Sequence, residues 1–298
     1  SATASASASA APSVPSLACR SLDVRTAEAR SEFPGARFAT VDGTFLLVDA
    51  EHGPLFADVV RLAPQVLSAL RHDRIATRPL CPVSVYVFTT LAGFQKHCSG
   101  RHYVPSSGRE YGIYDPVRGE IVTEVSGGRD YVPTCFHEVA HVLMDADWDA
   151  GDRDAGDARG APLWFRECVA SLYESPVVTA TEIHGTDDWR YVPLRPAVRM
   201  HDPAARMGAL FGMSDATFRG KIEGGGTDDR ATALHRATAR ATCQWLDSRG
   251  ELWPLYRGWR DGRDADPDGV ATFTRVTGHA PTDADAENAW RTWLLRPR

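Results

Sequence analysis

The pentapeptide His137-Glu138-Val139-Ala140-His141 constrains this chain more than any other feature, because it places polar side chains inside an apolar segment. In a helix, residues four apart lie on one face about one turn apart, so the two imidazoles point the same way. Buried polar groups without partners cost free energy, and a shared metal ion removes that cost. We therefore predict that His137 and His141 bind one Zn²⁺ and that Glu138 takes a proton from an activated water.

Two acidic residues compete for the third ligand position that a catalytic zinc requires. Asp147 lies six residues after His141, at the last position of the pattern HExxHxxGxxH. Met144 stands where that pattern has glycine, so we expect the helix to continue and to carry Asp147 off the ligand face. Glu167 is the stronger candidate, and a surface loop over residues 145–160 accounts for its distance along the chain.

The segment around Glu167 carries a family resemblance. Residues 162–174, PLWFRECVASLYE, resemble the PLWLxEGxAxYxE helix of gluzincin metallopeptidases. The order of the strand VSVYVFTT, the HEVAH helix and the PLWFRE helix is also similar to that of peptidase MA-like bacterial proteins, over about residues 80–260. The resemblance implies a zincin-like α+β fold, Glu167 as the third zinc ligand and hydrolysis of peptide bonds.

The chain departs from this family at several positions. Cys168 and Val169 replace the small and apolar residues that usually follow the glutamate, and Ser171 stands where thermolysin-like relatives have an aspartate that supports a histidine. The motif Gly-x-Met-Glu-Asn of related aminopeptidases is absent from the sequence. The resemblance therefore favours an endopeptidase over an aminopeptidase.

Several gluzincins carry a tyrosine or histidine, well after the zinc glutamate, that stabilises the transition state. By that likeness His235 is the candidate for this catalytic role, and Tyr191 is the alternative. A histidine on a helix surface is an equally good interpretation of His235 alone.

The pattern of apolar residues predicts a β-rich first half and a helical second half in one zincin-like domain. A flexible Ala/Ser/Pro-rich leader is expected over residues 1–30, a β-rich lobe over about 31–146 and a helical lobe over about 161–298. Within these, residues 37–50 predict a strand or hairpin, 54–72 a helix kinked or interrupted at Pro64, 83–90 a central strand, 108–128 two strands, and 131–146 and 161–175 helices. The strand near Glu120–Val125 is expected at the edge of a cleft, where an extended peptide could add.

Composition excludes some partners and leaves others open. The 298 residues have a formal net charge of −6, which provides no basic surface for nucleic acid. We expect a peptide or protein substrate, no nucleic-acid partner and no membrane span, since apolar runs of bilayer length are absent from the sequence. A non-catalytic, zinc-stabilised binding protein on the same fold is the alternative function, although such a site would not need Glu138.

The six cysteines do not form a CxxC pair, which argues against a zinc site made of thiolates. Their even number fits disulfides in an exported protein, and it fits buried thiols equally well; we favour an extracytoplasmic location over a cytoplasmic one. Cys135 and Cys168 flank the predicted ligands, so we expect them to lie near one another, close enough for a disulfide.

Overall fold

The computed structural model describes residues 19–72, 74–103, 111–128, 132–148, 160–174, 176–178, 183–222 and 225–296. The predicted α+β class is confirmed. The strands are β1 Arg37–Val41, β2 Phe45–Asp49, β3 Val83–Phe88, β4 Gly112–Asp115, β5 Glu120–Glu124, β6 Pro176–Val178 and β7 Ile183–Gly185. The helices are α1 Leu22–Glu32, α2 Phe56–Arg71, α3 Leu91–Gly100, α4 Val132–Trp148, α5 Leu163–Ser171, α6 Tyr191–Arg199, α7 Asp215–Phe218, α8 Asp229–Ser248, α9 Leu252–Gly262, α10 Val270–Thr277 and α11 Ala284–Leu294.

A five-stranded sheet in the order β1-β2-β3-β5-β4 organises the first half of the chain. Strands β2, β3 and β5 pair in parallel, whereas β1 and β4 pair antiparallel to their neighbours. Strand β3 is central, as the sequence predicts. Parallel strands are stable when both of their faces are covered, and here α2 and α4 share a core with one face while α1 and α3 pack on the other.

The strand at the sheet edge differs from the prediction. Strand β5, which contains the segment expected at the edge, lies between β3 and β4, and the short strand β4 occupies the outer position. The turn between β4 and β5 explains the order, because the Asp115 carboxylate accepts hydrogen bonds from the backbone N–H groups of Val117 and Arg118 and folds β4 back along β5. A peptide that adds to this edge would therefore pair with β4.

Helix α2 continues through Pro64, so of the two expected effects of this proline, a kink or an interruption, the interruption does not occur. Proline removes one backbone hydrogen bond from a helix interior. The apolar face of α2, with Val59, Val66 and Leu70 fully buried, covers the sheet and holds the helix on both sides of the proline.

The second half of the chain is helical, as expected, apart from the antiparallel hairpin of β6 and β7, which the sequence pattern does not reveal. The long helix α8 lies at its centre and contacts α5, α6, α7, α9 and α11.

A flexible leader was expected over residues 1–30, and helix α1, Leu22–Glu32, overlaps the end of that segment. Residues 1–18 of the expected leader lie outside the described part of the chain. Among the described helices, none has the length and apolar character needed to cross a bilayer.

The carboxyl end of α4 is held by an ion pair that links the two halves of the chain. The Asp147 side chain is buried and accepts hydrogen bonds from Thr77 and from the guanidinium of Arg260 on α9. Arg260 also contacts Asp261, whose side chain is 66% exposed. Asp147 therefore has a structural role at the end of the helix that carries the HEVAH motif.

We expect Asp147→Ala to lower the free energy of unfolding by about 2–3 kcal/mol, because it leaves the partly buried Arg260 without its buried counter-ion. Asp261→Ala is the matched control, since it removes an exposed carboxylate from the same arginine and should cost about 0.5 kcal/mol or less. Urea denaturation of both variants measures the difference, and equal losses would contradict this role for Asp147.

Candidate metal centre

Helix α4 carries the HEVAH motif in the interior of the protein. His137 and His141 are each less than 10% exposed, and the apolar neighbours Val139 and Ala140 pack into the main core. The one-turn spacing places the two imidazoles together, with their Nε2 atoms 3.0 Å apart. The two Nε2 atoms therefore face one point in the interior.

Helix α5 brings Glu167 to the same point. Its Oε1 lies 3.5 Å from Nε2 of His141, and its Oε2 lies 3.8 Å from Nε2 of His137. One ligand atom from each of the three residues lies within 4.8 Å of the others. Three N or O ligands of one tetrahedral zinc are about 3.3 Å apart, so the observed spacing fits a metal ion. Nδ1 of His141 has no hydrogen-bond partner among the described residues, which leaves Nε2 as its functional atom.

A fourth residue, Glu174, contacts His137 at Nδ1, the ring nitrogen that does not face the other two candidate ligands. Its Oε1 lies 2.7 Å from Nδ1 of His137, an ion-pair contact that favours a proton on Nδ1 and so directs Nε2 to a metal. The family resemblance directs attention to Ser171 for this role, but the Ser171 hydroxyl donates to the carbonyl of Cys168 in its own helix. The available signal was the last glutamate of the PLWLxEGxAxYxE pattern, which Glu174 matches, although it lies beyond Ser171, the last residue of α5.

A chain of alternating charges continues from Glu174 into the helical half. Its Oε2 lies 2.6 Å from Arg190, which in turn contacts Asp188 at 2.8 Å. Asp188 is also 2.8 Å from Nε of Arg240, a fully buried residue of α8 that donates to the carbonyl of Thr186. The position of His137 is therefore coupled to α8 through three further side chains.

The three candidate ligands differ in their protonation states at pH 7. Burial by itself lowers the pKa of His137, but the charge and hydrogen bond of Glu174 outweigh that effect and raise the pKa to about 9. Burial lowers the pKa of His141 to about 4, so this imidazole is neutral at pH 7. Burial would raise the pKa of Glu167, but the hydrogen bond with His141 and the charge of His137 hold it well below its usual range. The Glu167 carboxylate is ionised and the His141 imidazole is neutral, as a zinc ligand must be, whereas His137 is protonated at pH 7 in the metal-free protein, so a bound metal would have to displace the proton from its Nε2.

Glu138 lies next to this group, against the edge strand. A Cβ atom built on Gly112 of β4 would lie 2.7 Å from Oε1 of Glu138 and 2.9 Å from its Cγ. Glu138 is buried and is not one of the three converging residues. The absence of a side chain at position 112 thus lets β4 approach the general-base candidate closely.

The structure places the alternative residues elsewhere. Asp147 is paired with Arg260 on α9. His235 lies buried on α8, with Nδ1 3.4 Å from the carbonyl of Phe218 and its ring stacked on that side chain. The Tyr191 hydroxyl donates to Gln244. A role for His235 or Tyr191 in stabilising the transition state stays a prediction.

The prediction that Cys135 and Cys168 could form a disulfide is wrong. Cys168 forms a disulfide with Cys243 on α8, and Cys19 forms a second one with Cys81. Cys135 is a buried thiol, and burial raises its pKa to about 12. The prediction failed because it used only the positions of the cysteines in the sequence, whereas Cys168 is bonded to α8 rather than to α4.

Comparison of the chain with protein-family models and with characterised proteins found no match. The likeness to gluzincins therefore depends on the motifs and on the geometry described above.

We expect Glu174→Gln to weaken metal affinity about 10–100-fold, because loss of the carboxylate charge removes the support of His137 Nδ1. A competition titration against a chromophoric chelator measures the affinity. Asp145→Asn is the matched control, because Asp145 pairs at 2.8 Å with Arg166, the residue before Glu167, and the substitution likewise removes one carboxylate charge. Equal affinities in the two variants would show that Glu174 does not support the site.

Proposed function

We propose that the protein is a zinc-dependent peptidase of zincin type, in which His137, His141 and Glu167 hold the metal. The observation that carries this proposal is the convergence of both Nε2 atoms and the Glu167 carboxylate on one point, with Glu138 on the same helix as the histidines. Two histidines and a glutamate are a known ligand set of catalytic zinc, and they leave a fourth position for water or substrate.

In this proposal each residue has a separate task. Bound zinc lowers the pKa of water towards about 7 and polarises the scissile carbonyl. Glu138 accepts the proton of the attacking water and donates it to the leaving amine. Glu174 keeps His137 in the tautomer that presents Nε2, and Arg190 keeps Glu174 ionised: burial would raise the Glu174 pKa, but the charges of Arg190 and His137 hold it well below its usual range.

The open side of the edge strand β4 favours a peptide as the substrate over another acyl compound. Strand β4 is bonded to β5 on one side only within the described sheet, and Gly112 contacts Glu138. An extended peptide that pairs with the other side of β4 would run past Glu138, with its backbone held by main-chain hydrogen bonds. This arrangement suits an endopeptidase, since a strand added along an open edge can extend in both directions.

The alternative is a non-catalytic binding protein stabilised by the same metal. Metal content does not separate the two functions, because both need the three ligands. Glu138 separates them, since a purely structural metal site has no use for a base beside it.

We expect Glu138→Gln to keep its metal and its fold while losing about 10²–10⁴-fold in turnover, because the amide cannot accept the proton. Hydrolysis of casein and of a peptide library, with zinc content from elemental analysis, measures both properties. His137→Ala is the contrasting variant and should lose metal and turnover together. If Glu138→Gln hydrolyses peptides like the wild type, Glu138 is not the base.

We expect Gly112→Ala to reduce turnover with little change in metal content, because the new methyl group must displace Glu138 or β4. Gly100→Ala at the end of α3 is the matched control, since a Cβ there meets no atom within 4 Å. Turnover that is unchanged in Gly112→Ala would show that Glu138 has room to move without loss of function.

A further inference from the structure

The helix that supplies Glu167 is too short to fix its own position. Helix α5 has nine residues, Leu163–Ser171. Its N-cap residue, Pro162, provides no side-chain hydrogen bond to the first turn. Helices shorter than about 12 residues are marginal in isolation, so the position of α5 depends on its packing partners. The placement of Glu167 relative to His137 and His141 is therefore decided by the elements to which α5 is attached.

A covalent bond provides one of these attachments. Cys168, the residue directly after Glu167, is joined to Cys243 on α8, with a Cα–Cα distance of 5.5 Å. Both cysteines are fully buried. Because Glu167 and Cys168 are consecutive in one helix, any displacement of Cys168 from α8 also displaces the Glu167 carboxylate.

The same stretch of α8 also supports the other side of the centre. Arg240 precedes Cys243 by three residues and therefore lies on the same face of α8. Arg240 holds Asp188, which reaches Glu174 through Arg190 and so supports His137. One turn of α8 thus fixes the helix that provides Glu167 and the charges behind His137.

We propose that the Cys168–Cys243 disulfide is a positioning element of the metal centre, so that the protein binds its metal tightly only in the oxidised state. The inference rests on the proposed function, because it concerns the same three ligands. The bond forms when the two thiols transfer two electrons and two protons to a disulfide oxidant such as oxidised glutathione, which leaves as two thiols. Reduction by a dithiol reverses the step and frees α5 from α8.

The second disulfide provides a matched control. Cys19–Cys81 spans 62 residues of sequence and Cys168–Cys243 spans 75, so the two bonds restrict the unfolded chain to a similar extent. We compare Cys168→Ala/Cys243→Ala with Cys19→Ala/Cys81→Ala. Both double variants should have a lower Tm than the wild type. Only the first should bind zinc about tenfold or more weakly and alter the visible absorption of bound Co²⁺.

Zinc affinities within twofold of each other in the two double variants, with unchanged Co²⁺ spectra, would overturn the inference. Should Cys168→Ala/Cys243→Ala fail to fold, stepwise reduction of the wild type with a phosphine tests the same point. Cys19 is exposed, whereas Cys168 and Cys243 are buried, so Cys19–Cys81 should open first.

Thiol labelling with mass spectrometry reports which bond has opened, and a zinc indicator reports release. Zinc release should follow the opening of Cys168–Cys243, at a reductant concentration where circular dichroism shows native structure. Retention of zinc after both bonds open would overturn the inference and leave the proposed peptidase intact. An oxidised wild type that binds no zinc would overturn both.

Discussion

The burial of two histidines on α4, beside two partly buried glutamates on and just after α5, is the constraint that the rest of this fold satisfies. Each of these side chains would cost free energy if it were desolvated without a partner. His137 meets the cost by pairing with Glu174 through Nδ1, and the remaining Nε2 atoms and the Glu167 carboxylate face one another across 3.0–3.8 Å. A divalent cation at that point would neutralise the carboxylate and accept the lone pairs of the two Nε2 atoms.

The charged side chains that connect His137 to α8 also need partners in the interior. A buried ion pair is favourable only when further hydrogen bonds satisfy both of its members. Glu174 is therefore matched by Arg190, Arg190 by Asp188, and Asp188 by Arg240, so that charges alternate along the whole chain of contacts. The chain ends on α8, whose burial at the centre of the helical half makes it a rigid support. A displacement of α8 would thus reach the metal ligands through side chains as well as through packing.

The sequence predicts the local part of this arrangement and misses the part that depends on long-range contacts. The HEVAH helix follows from periodicity within one turn, and the placement of Glu167 follows from the likeness of its segment to a known motif. The supporting role of Glu174 was not predicted, because it depends on how α5 lies against α4. The same reason explains the wrong partner for Cys168, since Cys243 is 75 residues away and is brought near only by the packing of α8 on α5. The edge position of β4 depends on strand order, which hydrophobic alternation does not encode.

The two disulfides carry information about the environment in which the protein folds. A chain of 298 residues buries a large core, so it does not need cross-links in the way that small secreted domains do. Here the Cys19–Cys81 bond joins the segment before α1 to the residues just before β3. The Cys168–Cys243 bond lies beside the candidate ligand Glu167. Disulfides persist in oxidising compartments and are reduced in most others, so the state of these two bonds depends on where the protein folds. In a reducing compartment the chain could still form its sheet and helices, but Glu167 would be held by non-covalent packing alone.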